Sequence, residues 1–125
     1  MKKIDMTCSC QGGNLDKFIQ PHILLILQEK SMYGLEIIGE LEKRNMFIGH
    51  SPDPTGVYRY LKRMEADGQL SSEMKADMPG ERPKRVYSVT EEGRRCLANW
   101  AVALGQYSVN IIGLVRDIEE SFEKK

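Results

Sequence analysis

Hydrophobic positions along the chain fall into four helical patterns and two short alternating ones. In PHILLILQEK, Ile23, Leu24, Ile26 and Leu27 give an almost all-round apolar surface, and Pro21 suits a first helical turn, where its missing N–H costs nothing. The spacing predicts a short buried helix. YGLEIIGELEKRN places Leu35, Ile38 and Leu41 on one side and Glu36, Glu40 and Lys43 opposite, with Lys43 and Arg44 in a last turn that suits the macrodipole. SPDPTGVYRYLKRMEADGQL, which begins at residue 51, carries its own boundaries. Ser51 or Asp53 can cap, Pro54 fits the first helical position, and Gly68 can supply a left-handed residue after the last turn.

Two strand-like segments follow, QLSSEMKA and KRVYSV. Between them Met78-Pro79-Gly80-Glu81 has proline and glycine where a type II turn needs them. The expectation is a hairpin with a long, basic, flexible tip. Thr90 then caps a helix from Glu91 to about Phe122, roughly 48 Å at ~1.5 Å per residue and too long for so small a core to cover. Leu97, Ala101, Leu104, Ser108, Ile111, Val115, Ile118 and Phe122 recur in steps of four and three along it, a 3.5-residue seam. Trp100, Tyr107 and Leu114 widen the stripe, which asks for a second copy of the chain. Packing along the helix's own core is the other reading.

The predicted fold class is mostly α with a small β-hairpin, a winged helix-turn-helix followed by a long dimerisation helix. The expected division is a flexible arm over 1–14, a DNA-binding domain over 15–90 and the dimerisation helix over 91–125.

Composition narrows the function. With 125 residues, 41% of them hydrophobic and 29% charged, the chain is one ordinary globular domain. Lys plus Arg equals Asp plus Glu at 18 each, so any polyanionic partner must be sought in local segregation of charge. The longest apolar run, Ile23 to Leu27, is far too short for a bilayer, and MKKIDMTCSCQGG has no apolar signal region. A cytoplasmic protein with no membrane partner is expected. Cys8 and Cys10 lie in the arm and Cys96 begins the long helix; with His22 or His50 they cluster too few ligands for a metal site. No metal and no other cofactor is expected, although a thiol switch or metal sensing by Cys8 and Cys10 stays open. No phosphate loop, metal motif or nucleophile–base signature suggests an enzyme.

Local charge segregation appears in the third helix. Val57, Leu61 and Met64 share one face with Tyr58 at its edge, while Thr55, Arg59 and Lys62 lie opposite and Arg63 to one side. Such a face is often plain solvated surface. In a helix-turn-helix, however, this helix enters the major groove with its N-terminal residues at the base edges. Arg59 is then a candidate for base contact, Thr55 for a thymine methyl or a phosphate, Gly56 for close approach, and Lys62 and Arg63 for phosphates. Arg82, Lys84 and Arg85 make the hairpin basic, with Arg94 and Arg95 just beyond, against Glu91 and Glu92.

The segments LLILQEKSMYGLEIIGELE, TGVYRYLKRMEADGQLSSE and RPKRVYSVTEEGRRCL, in this order, resemble the PadR-like transcriptional regulators from about Phe18 to Trp100. The resemblance implies winged-helix proteins that dimerise through a long C-terminal helix and mostly repress transcription. By motif, Tyr33-Gly34 matches the opening of the family's second helix, Tyr58-Arg59 its recognition segment, and residues 82–87 its wing. Pro54-Thr55-Gly56-Val57 departs from the usual serine or glycine followed by threonine. For some relatives the resemblance implies a flat apolar effector, for which Trp100 and Tyr107 are candidate lining; interface packing is their other reading. The expected function is a sequence-specific DNA-binding regulator of double-stranded DNA, a homodimeric repressor released by a small apolar or aromatic effector. The alternative is a winged-helix protein-interaction module without specific DNA binding.

Overall fold

The computed structural model describes residues 18–44 and 52–124; the arm over 1–14, with Cys8 and Cys10, and also His50 and Ser51 lie outside them. Helix α1 (Ile19–Glu29) buries Ile23, Leu24, Ile26 and Leu27, with Pro21 in its first turn. A two-residue strand β1 (Met32–Tyr33) leads into α2 (Gly34–Glu42), where Glu36 caps the helix by accepting the Tyr33 N–H at 3.0 Å. Helix α2 turns Ile37, Ile38 and Leu41 inward and leaves Leu35 70% exposed. The expected inward face is therefore corrected: Gly34 rather than Leu35 belongs to it. The helix also stops at Glu42, so Lys43 is its C-cap and not part of its last turn.

Helix α3 (Pro54–Ala66) has the anticipated ends. The Asp53 carboxylate accepts the Gly56 N–H at 3.2 Å, so Asp53 is the cap. Gly68 has φ +82°, and the N–H groups of Gly68 and Gln69 donate to the carbonyls of Glu65 and Met64, which closes a Schellman motif. Val57, Leu61 and Met64 have no exposed surface and join α1 and α2 in one core.

Strands β2 (Leu70–Lys75) and β3 (Lys84–Val89) form the expected antiparallel hairpin, but the sheet has three strands in the order β1-β3-β2. The added strand β1 pairs Met32 with Tyr87 and Tyr33 with Val86. At the tip, Gly80 has φ +83° and the Glu81 N–H donates to the Met78 carbonyl at 3.1 Å, as a type II turn requires.

Thr90 caps α4 (Glu91–Glu123): its Oγ1 accepts the Gly93 N–H at 3.0 Å and donates to the Gly68 carbonyl at 2.6 Å. One threonine thus ties the end of α3 to the start of α4. Leu97 and Trp100 pack against the core, whereas beyond them the helix leaves it. Ile111, Val115 and Ile118 are about half exposed and Phe122 is 78% exposed. Among the described residues, no helix is long and apolar enough to cross a membrane.

Candidate nucleic-acid interface

Because Val57, Leu61 and Met64 are fully buried, helical geometry turns Thr55, Arg59, Lys62 and Arg63 outward, and all four are exposed. Tyr58 stands at the margin, 41% exposed, and its ring fills the space that a side chain at Gly34 would need. A Cβ built on Gly34 would lie 2.5 Å from the Tyr58 ring, so any other residue at 34 would have to displace that ring. Gly56 is different. A Cβ there would meet only Asp53, at an ordinary 3.5 Å, so nothing inside the protein demands glycine.

The sheet register places the wing beside this face. Leu70, Ser72 and Met74 pair with Val89, Tyr87 and Arg85, and these residues share one side of the sheet. Leu70, Tyr87 and Val89 are buried, and burial pushes the Tyr87 phenol pKa up. Toward the tip the same side becomes polar. Arg85 donates to the Ser72 hydroxyl at 2.9 Å, which donates to the Glu65 carboxylate of α3 at 2.7 Å. Tyr58, Lys62, Glu65, Arg85 and Tyr87 line a cleft of about 410 Å³ between α3 and β3. Glu65 and Ser72 carried no signal in the sequence; only the register brings them to Arg85.

The basic residues divide into two groups. Among the described residues, Arg59, Lys62, Arg63, Arg82 and Lys84 have no carboxylate within ion-pair distance. Arg94 and Arg95 instead lie on α4 and pair with Glu91 at 4.0 Å and Glu92 at 2.7 Å, so they add nothing to the charge of the wing. The hairpin tip also carries Asp77 and Glu81, and so is less basic than its arginines and lysines suggest.

The family model of the PadR-like transcriptional regulators matches residues 23–99, which run from within α1 through α2, α3 and the hairpin to the start of α4. The chain belongs to that family. The transcriptional regulator Rv3488 of Mycobacterium tuberculosis is 32% identical over 95 residues, covering 76% of this chain and 83% of the relative. The solved regulator TA0346 of Thermoplasma acidophilum superposes with a TM-score of 0.69 at 26% identity, covering 81% of this chain and 93% of that one. Bacillus subtilis PadR, solved in complex with operator DNA, has a TM-score of 0.59 at 19% identity over 67% of this chain and 45% of its own.

In this PadR-like regulator the long helix brings a second set of expected residues together. Leu97, Trp100, Ala101, Leu104, Tyr107, Ser108 and Ile111 of α4 face Phe18, Pro21, His22 and Leu25 across an apolar groove of about 570 Å³. Trp100 and Tyr107 thus share a wall with the first five seam positions. Val115, Ile118 and Phe122 lie beyond the groove on the free part of the helix. Cys96 is a free, half-buried thiol against the core.

Proposed function

We propose that this regulator binds double-stranded DNA sequence-specifically through α3 and the wing, as a homodimer joined by α4. The observation that carries the reading is the exposed face of α3. Its cations are unpaired among the described residues, and its opposite face is locked into the core. A rigid helix holding free guanidinium and ammonium groups beside a basic hairpin suits a duplex, whose phosphates supply the missing counter-charges. Arg59 and Thr55 are assigned to base edges, Tyr58 and Gly56 to close approach, and Lys62, Arg63, Arg82, Lys84 and Arg85 to phosphates. B. subtilis PadR, which shares the fold, is solved in complex with operator DNA, and this supports the DNA-binding reading.

The α4 stripe sets how two copies join. Its first half looks into the groove with α1 and its second half is bare, so an antiparallel pairing lays the free Val115–Phe122 segment of each copy along the other's groove. Regulation fits the same place. A flat apolar or aromatic molecule between Trp100 and Tyr107 would alter the packing of α4 and hence the spacing of the two recognition helices, releasing a repressor from its site.

Selection from random duplexes, followed by affinity against salt, tests the reading. Wild type should recover inverted half-sites about 10 base pairs apart. Arg59→Ala should cost ~1–3 kcal/mol on the operator and relax one base position. Lys84→Ala should weaken operator and random DNA alike and reduce the salt slope by about 0.9 per lost phosphate contact. Recovery of no preferred sequence, with both variants silent, would instead favour a protein-interaction module.

A further inference from the structure

Two adjacent residues, Tyr33 and Gly34, touch both halves of the proposed interface. Gly34 lies against the Tyr58 ring of α3. Tyr33 reaches the other way: its hydroxyl donates to Asp77 Oδ1 at 2.8 Å, and its ring centroid lies 5.7 Å from the Lys84 ammonium, within cation–π range. The register makes this reach possible. Tyr33 stands opposite Val86, which places Lys84, two residues earlier on β3, on the same side of the sheet. Lys75 pairs with Lys84 at the last rung, and Asp77 follows two residues on.

The tip holds its own shape through the Met78–Glu81 turn, in which the Met78 N–H also donates to the Glu81 carboxylate at 3.1 Å. That turn does not fix where the tip sits. Among the described residues, the Tyr33–Asp77 hydrogen bond is the one that joins residues 76–83 to the body of the domain. We propose that Tyr33 is a positioning residue for DNA binding, which holds the wing tip so that Lys84 and Arg82 face phosphates and the Asp77 carboxylate faces the protein. The inference rests on the DNA-binding reading above. An unanchored tip must lose its freedom on each binding event, and a released Asp77 repels the phosphates it meets. The bond to Asp77 itself pushes the Tyr33 pKa up to about 12, so the phenol remains a donor across the working pH range.

The test is made on the full chain with Tyr33→Phe, which keeps the ring under Lys84, and on the same change in an Asp77→Ala background. Tyr33→Phe should lower operator affinity roughly three- to tenfold, leaving the salt slope unchanged because no cation is lost. In the Asp77→Ala background it should cost nothing further, because the two side chains act as one unit. In the DNA-free protein, amides of residues 76–83 should lose order in the heteronuclear NOE of Tyr33→Phe, while the thermal midpoint stays in place. Equal costs in both backgrounds would overturn the proposal, since the hydroxyl would then work without Asp77. Unchanged operator affinity, or an unchanged tip, would overturn it too. If wild type selects no duplex, the DNA reading fails and takes the positioning role with it, even where the tip still loosens. If wild type selects a duplex and Tyr33→Phe binds it equally well, only the positioning role fails.

Discussion

Helix α3 hides its core stripe completely: Val57, Leu61 and Met64 have no exposed surface, Tyr58 stands half-exposed at the edge, and the side it offers outward is Thr55, Arg59, Lys62 and Arg63. Helix α4 does the reverse over its second half, where Ile111, Val115, Ile118 and Phe122 face outward. A helix whose apolar side is satisfied can aim polar groups at a ligand without moving. A helix whose apolar side is bare gains by burying it, at about 25 cal/mol per Å², and so calls for another protein surface. On the proposed reading, one chain divides its labour between recognition and assembly, by which side of each helix the core covers.

A charge placed in each stripe breaks the comparison most sharply. Leu61→Lys buries an unpaired ammonium, a penalty of several kcal/mol against a total stability of ~5–15 kcal/mol, and the chain should lose its helical circular dichroism. Ile118→Lys puts the same charge at a half-exposed position; the helical spectrum should persist while sedimentation changes from dimer to monomer. Should Ile118→Lys also abolish the spectrum, the partner's helix is part of the core, and the monomer does not fold alone. A dimer that survives Ile118→Lys would mean the seam lies elsewhere.

The ends of α3 were legible because they are local: Asp53, Pro54 and Gly68 each act within one turn, and each does what its chemistry suggests. The 3.5-residue stripe of α4 was legible because no other element is long enough to cover it. Leu35 was misread for a complementary reason. Periodicity allows either Leu35 or Gly34 to join Ile38 and Leu41, and the Tyr58 ring from α3 occupies the space that a side chain at residue 34 would need. Strand β1 is two residues long and pairs with residues 86 and 87, a non-local match without a local pattern. The Glu65–Ser72–Arg85 chain was hidden likewise, since each member occupies an ordinary polar position until the hairpin register aligns them.

A smaller effect is expected at the joint between the two regions. Gly93 sits in the first turn of α4 against the Gln69 carbonyl, and a Cβ there would overlap that oxygen and come 2.7 Å from Val89 Cγ2. The carbonyl is held in place by the Thr90 N–H at 3.1 Å, so it cannot yield cheaply. Gly93→Ala should therefore destabilise by about 1–3 kcal/mol, although alanine is the better helix former. A lower urea midpoint with an unchanged slope measures it. A raised midpoint would show that α4 can swing away from the wing at little cost, and the joint would then be a hinge.

The smallest change tests α3 against itself. Gly56 lies in the first turn of the helix, where a Cβ would find only Asp53 at 3.5 Å, and its φ is not in the left-handed region. By helix propensity, Gly56→Ala should stabilise the fold by up to about 1 kcal/mol, less if the first turn frays. On the DNA side the sign reverses. If the N-terminal turn of α3 enters the major groove, an added methyl beside Thr55 and Arg59 should crowd the duplex and lower operator affinity. Thermal unfolding and operator titration of the one variant thus move in opposite directions. A gain in both would put the duplex away from this turn and would leave Arg59 a solvated side chain rather than a reader of bases.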